Sequence, residues 1–181
     1  MQKLLAISRI IDAFNDRIGR FASWLVLLMA VVGVWNVVGR YLGRAVGQNL
    51  TSNALIEAQW QIFDIIFLLG AGYALSKDAH VRVDVFYSNW SKKWKALVNL
   101  VGTLFLIIFS ILTLWYSWGF VVASWRIWEV SSNANGLPLY PIKTVILVGF
   151  ALLILQGISE GIKNWAIFTG QFQSREETDN A

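Results

Sequence analysis

The 181 residues contain no cysteine, a single histidine and two prolines. The missing cysteine removes disulfides, cysteine-held zinc and iron–sulfur clusters, and it leaves the redox compartment open. One histidine, His80, excludes bis-histidine haem ligation within the chain. Charge is also scarce. Only 14% of residues are charged against 56% hydrophobic, with a net charge of +4. The basic residues sit at helix ends and in short loops rather than in one patch, which argues against a nucleic-acid partner. No Walker loop, G-x-S-x-G, H-E-x-x-H or Ser/His/Asp arrangement is present. The expectation is therefore a protein that is not an enzyme and carries no cofactor or metal.

What is present is a series of apolar runs near 20 residues long, the length a helix needs to cross a bilayer. The fold class expected is an all-α membrane protein of four transmembrane helices, at about 21–42, 55–75, 96–122 and 142–165. The third is longer than the hydrocarbon core requires and should tilt or project. Pro138 and Pro141 stand just before the fourth, where a helix start tolerates proline. A polar C-terminal tail is expected over 166–181.

Residues 1–20 read as an N-terminal amphipathic helix lying at the membrane interface. Leu4, Ile7, Ile11, Phe14 and Ile18 recur at helical spacing, with Lys3, Arg9, Asp12, Asp16, Arg17 and Arg20 between them. A helix packed on another protein fits the same pattern. Orientation follows from Lys and Arg. Arg40, Arg44, Arg126 and Lys143 fall on one side, and every other Lys and Arg of the chain's 15 falls on the other. The richer side is expected to be cytoplasmic, with both termini there. Trp24, Trp35, Trp60, Trp125, Trp128 and Trp165 fall near span ends, as interfacial anchors do.

Polar groups within spans are costly and need partners. Glu57, Gln61 and Asp64 share one face of the second span. Asn36 and Arg40 share a face at the neighbouring end of the first, so an Arg40–Glu57 pair is expected. Asp64 lies deeper. A buried hydrogen bond to a neighbouring helix or partner subunit is favoured over an ion site, because one carboxylate without clustered ligands makes a poor cation cage. Glu160, one turn after Gln156, is expected to pair with the basic loop around residues 77–95. Gly70 and Ala74 form a weak small-xxx-small pair.

The string Ser76-Lys77-Asp78-Ala79-His80-Val81-Arg82-Val83-Asp84-Val85-Phe86, with Glu57-Ala58-Gln59-Trp60 and Leu68-Leu69-Gly70-Ala71-Gly72-Tyr73 upstream, resembles one signature of a known family. Glu129-Val130-Ser131-Ser132 and Leu137-Pro138-Leu139-Tyr140-Pro141-Ile142-Lys143 resemble its second. The family is the small (Q, DctQ-like) membrane subunit of tripartite ATP-independent periplasmic (TRAP) transporters, and the resemblance covers about residues 5–165.

It implies a scaffold subunit of a sodium-coupled secondary transporter for organic acid uptake in a bacterial inner membrane. Its partners would be membrane lipids, the large (M) membrane subunit and a periplasmic substrate-binding protein. Substrate and sodium sites would lie in the large subunit, to which this chain is expected to be unfused. In that setting His80, Arg82 and Asp84 would order the inner loop, while Arg44, Arg126 and Glu129 would face the binding protein. The competing readings are the membrane anchor of a respiratory or dehydrogenase complex, a small self-assembling channel and, third, a membrane enzyme.

Overall fold

The computed structural model describes residues 1–79 and 90–170, so His80, Arg82 and Asp84 lie outside the described residues. The described residues form four helices: α1 (Gln2–Val46), α2 (Asn53–Ser76), α3 (Lys92–Arg126) and α4 (Tyr140–Phe168). Each is long and apolar enough to cross a membrane. Every helix overruns the apolar window expected for its span. Lysine and arginine are good helix formers, so Lys92, Lys93 and Lys95 extend the start of α3 and Arg126 its end. Ser91 caps α3, its hydroxyl accepting from the Trp94 amide. Pro141 lies in the first turn of α4, where no intrahelical donor is lost.

The largest departure is at the N-terminus. Residues 2–20 do not form a separate helix. They continue unbroken into the first span, giving 45 residues in one helix. That is roughly 68 Å, more than twice the hydrocarbon thickness. Nothing between Arg17 and Ala22 stops a helix. Gly19 is the only weak helix former there, and α2 packs where its side chain would stand: a Cβ at Gly19 would sit 2.2 Å from the Tyr73 ring.

Each helix meets a residue in the left-handed region at its C-cap or one position beyond it. Gly47 (φ 68°) and Gly170 (φ 71°) occupy that region without steric cost, whereas Asp78 (φ 55°) and Trp128 (φ 47°) do not. Trp128 carries a penalty of about 1–2 kcal/mol for that backbone conformation. Rings on either side hold it, Trp125 at 5.8 Å and Tyr140 at 5.1 Å between centroids.

α4 is the hub, packing against α3, α2 and α1, while among the described residues α3 makes its substantial interhelical packing with α4 only. The interior differs from that of a soluble bundle. Its buried positions are largely small or polar: Ser8, Asn15, Gly19 and Ala22 on α1, and Gly149, Gln156, Gly157 and Ser159 on α4. Bulky apolar side chains point outwards instead, among them Trp24, Phe67, Phe105 and Trp115. In lipid there is no hydrophobic gain from hiding them, so close backbone approach and interhelical hydrogen bonds drive association. Gly149 shows the approach. A Cβ there would meet the Leu68 carbonyl oxygen at 2.9 Å, and that oxygen is backbone with little freedom to yield.

Candidate functional site

Two polar centres hold the ends of the bundle together. At one end Glu57, only 1% exposed, is the anchor of the loop between α3 and α4. Its Oε1 accepts from the Ser131 hydroxyl and from Asn133 Nδ2 (2.8 Å), and its Oε2 from the Leu137 backbone N–H (2.6 Å). Bonds to a carboxylate from three donors are charge-assisted and short. The loop closes on itself through Leu139 N–H to Glu129 O (2.8 Å), Ser131 N–H to Leu137 O (3.0 Å) and an isolated antiparallel bridge between Val130 and Pro138. Gln61, one turn below Glu57, donates to the Pro138 carbonyl (3.2 Å). The two sequence strings around Glu57 and around Glu129–Lys143, about 70 residues apart in the chain, thus meet in one hydrogen-bonded unit.

The expected Arg40–Glu57 pair is not formed. Glu57 is saturated by the loop, and Arg40 is exposed and has no ion pair among the described residues. The reason is topological: the return of the chain at 131–137 brings neutral donors closer to Glu57 than the neighbouring helix brings its arginine. Arg44 and Arg126 are likewise exposed. Glu129 is not a free charge, because it is ion-paired with Lys143. Lys143 also lies 4.0 Å from the Phe120 ring centroid. Trp125 donates its indole N–H to the Thr144 hydroxyl (2.8 Å) and packs 4.5 Å from Tyr140.

The Lys143 ammonium, hydrogen-bonded to Glu129, holds that carboxyl below its ordinary range. A carboxyl depressed in the folded state stabilises above the pKa it has when unfolded, and the contribution is lost as pH falls through the folded value. The intrinsic emission, to which Trp125 and Trp128 contribute among the chain's ten tryptophans, should therefore stay constant on acidification until below the ordinary glutamate range. Lys143→Gln should move the transition up into that range. An unmoved transition would mean that the pair does not hold the loop.

At the other end α1 and α4 are joined by a chain of polar contacts. Gln156, fully buried, accepts from Asn15 Nδ2 (2.7 Å) and donates to Asp12 Oδ1 (2.8 Å) and Glu160 Oε1 (3.2 Å). Ser159 donates to Asp12 Oδ1 (2.7 Å), leaving the Ser8 hydroxyl to donate to Ser159 across 2.7 Å. Lys163 bridges Asp12 (3.1 Å) and Glu160. Lys77 extends the set by pairing with Asp16 (2.8 Å), which also meets Arg20 (3.3 Å).

Among the described residues Glu160 finds its cation in Lys163 on its own helix. Asp12 and Asn15 were not singled out from the sequence as site residues. Their signal was the stripe Ser8, Asp12, Asn15, Gly19 at spacings of four, three and four, a small and polar face that in a membrane bundle turns inwards. Asp64 stands apart. It lies mid-way along α2 and has no hydrogen-bond or ion-pair partner among the described residues. No group of three or more metal-ligating side chains occurs among the described residues.

Four membrane-length helices, a hydrogen-bonded loop anchor at one end and a polar weld at the other point to a multi-pass membrane protein held together by structural polar contacts. Residues 29–166 match the family model described as tripartite ATP-independent periplasmic transporters, DctQ component. The chain belongs to this DctQ family of transporter components. No curated protein matches it in sequence.

Proposed function

We propose that the chain is the scaffold-forming small subunit of a sodium-coupled TRAP transporter that takes up organic acids across a bacterial inner membrane. In this reading it braces the large membrane subunit and presents the Glu57-anchored loop to a periplasmic binding protein. Both termini face the cytoplasm, which places the loop outside. DctQ-family membership supports a role within a multi-part transporter.

The observation that carries the dependence on a second membrane protein is Asp64. An ionisable group within a span pairs with another group or faces water. This one is only partly covered and finds no partner within its own chain among the described residues. A hydrogen-bond donor or cation on a helix of the large subunit would complete it.

The test is extraction of the chain from its native membrane in mild detergent, with mass spectrometry of what accompanies it. A much larger polytopic protein at one-to-one stoichiometry is the expected result, reduced several-fold by Asp64→Leu and retained by Asp64→Asn. Recovery as a self-oligomer, or with a haem or flavin subunit, would overturn the reading.

A further inference from the structure

Along α1 two openings follow one another. The first is a groove of about 450 Å³ formed by Met29, Ala30, Gly33, Val34 and Val37, with Gln59 from α2 at its side. The second, of about 380 Å³, begins at the next turn and is formed by Gly39, Arg40, Gly43, Arg44 and the 47–51 turn. Met29, Gly33, Val37, Arg40 and Arg44 are spaced four, four, three and four, so one helix face runs through both openings. The groove is apolar and spans about 14 Å of helix, close to half of a hydrocarbon core of about 30 Å.

The second opening is basic. Neither arginine has an ion-pair partner among the described residues, and the sequence contains no Asp or Glu from Arg17 to Ile56. The uncompensated charge therefore sits at the end of an apolar channel one leaflet deep.

We propose that this face of α1 binds a phospholipid, with its phosphodiester held by Arg40 and Arg44 and an acyl chain lying in the Met29–Val37 groove. Arginine suits the task because its planar fork binds phosphate oxygens through two parallel hydrogen bonds. Basic pockets beside membrane helices take lipid headgroups by the same electrostatics. The glycines make the room. Gly39 and Gly43 let the 48–50 backbone lie against α1, where a Cβ would meet Leu50 O at 3.2 Å and Gln48 O at 2.4 Å. Asn49 Oδ1 accepts from the Thr51 amide (3.2 Å), which shapes the turn beside the arginines. A free anion would use the arginines and ignore the groove, so the groove selects the lipid. The inference does not depend on the transporter reading.

The test uses the chain extracted from its native membrane with whatever co-purifies, and counts retained phospholipid by native mass spectrometry. Wild type should retain phospholipid that millimolar inorganic phosphate does not displace. Arg40→Gln with Arg44→Gln should lower retention roughly tenfold or more, through loss of the charge-assisted bonds. Gly33→Leu should lower it comparably with both charges intact. A Cβ at position 33 would meet the flexible end of Gln59, with Nε2 at 2.7 Å, and no other residue within 4 Å, so folding should survive. Unchanged far-ultraviolet circular dichroism would confirm that.

Equal retention in the arginine variant overturns the proposal, as does displacement by phosphate together with no effect of Gly33→Leu. Because the chain has no cysteine, Val34→Cys also allows a single fluorophore in the groove. Quenching by nitroxide-labelled phospholipid in vesicles is expected, and its absence would mean that a protein rather than a lipid covers this face.

Discussion

Replacing Glu57 with alanine should release the loop between α3 and α4 from the bundle. The substitution removes the acceptor of three donors at once: the Ser131 hydroxyl, the Asn133 amide and the Leu137 backbone N–H. The backbone N–H is the most demanding of these, since it cannot turn away to another acceptor, and a buried donor without one is penalised. Limited proteolysis within Ser131–Gly136 should quicken roughly tenfold or more, the factor that corresponds to losing one well-made hydrogen bond. The intrinsic emission of the chain's ten tryptophans should shift with it through Trp125 and Trp128.

Glu57→Gln should do far less. Its remaining oxygen can keep the Leu137 N–H, the Ser131 hydroxyl can rotate to accept, and the Asn133 amide can flip. Only the charge assistance is lost. The Arg40→Glu, Glu57→Arg double swap should behave like the alanine variant, because an arginine at 57 would present donors to donors. Rescue by the swap would show that Arg40 is the true partner. Equal proteolysis in wild type and Glu57→Ala would show that the loop does not depend on this carboxylate.

The contrast between Glu57 and the spans shows what a one-dimensional reading can reach. The four helices were legible because each is an uninterrupted apolar window, and the cost of unsatisfied backbone in lipid leaves few alternatives to a helix. Helix ends were less legible, since lysine and arginine extend helices without adding to hydropathy. Glu57 was legible as a residue in need of a partner, but its partner was not. Adjacency of span ends points to Arg40, whereas the partners come from a loop 74 to 80 residues downstream.

The N-terminal segment departs from expectation for a different reason. Its apolar stripe is the feature that matters in a soluble or interfacial helix. In this bundle the informative stripe is the adjacent one, about a quarter-turn round the helix, and Ser8, Asn15 and Gly19 are buried while Leu4, Ile7 and Phe14 stay exposed. The resemblance carried by the two signature strings is explained in part by the geometry. Glu57 from the context of the first meets Ser131 and Leu137 of the second, so the strings record one contact.

Gln156 should prove the residue on which the joining of α1 to α4 most depends. It is the one side chain that touches Asn15, Asp12 and Glu160 together, with its amide oxygen turned to the asparagine and its nitrogen to the two carboxylates. That orientation is forced, because the carboxylates only accept and Asn15 Nδ2 only donates. Asn15 cannot compensate by reorienting freely. Its Oδ1 is packed where a Cβ on Gly72 would meet it at 2.8 Å, and it already lacks a hydrogen-bond partner.

Gln156→Leu keeps the volume but leaves the buried Asn15 amide without an acceptor, at a cost of about 1–3 kcal/mol. Gln156→Glu is the harsher change. It places a third carboxylate against Asp12 and Glu160 with Lys163 as their shared cation, and like charges at that range disfavour one another. The readout is a cross-link. Ser8→Cys with Ser159→Cys puts two thiols where hydroxyl oxygens stand 2.7 Å apart, in a chain with no other cysteine. Mild oxidation should close that disulfide readily in the otherwise native sequence, several-fold more slowly with Gln156→Leu, and least of all with Gln156→Glu. Lower pH slows oxidation in every background by depleting thiolate, so yields are compared with the otherwise native sequence at the same pH. That ratio should rise for Gln156→Glu, since protonating one of the three carboxylates relieves the repulsion, and stay unchanged for Gln156→Leu. Identical cross-linking in all three backgrounds would mean that packing alone, through Gly72 and Gly19, holds the N-terminal half of α1 in place.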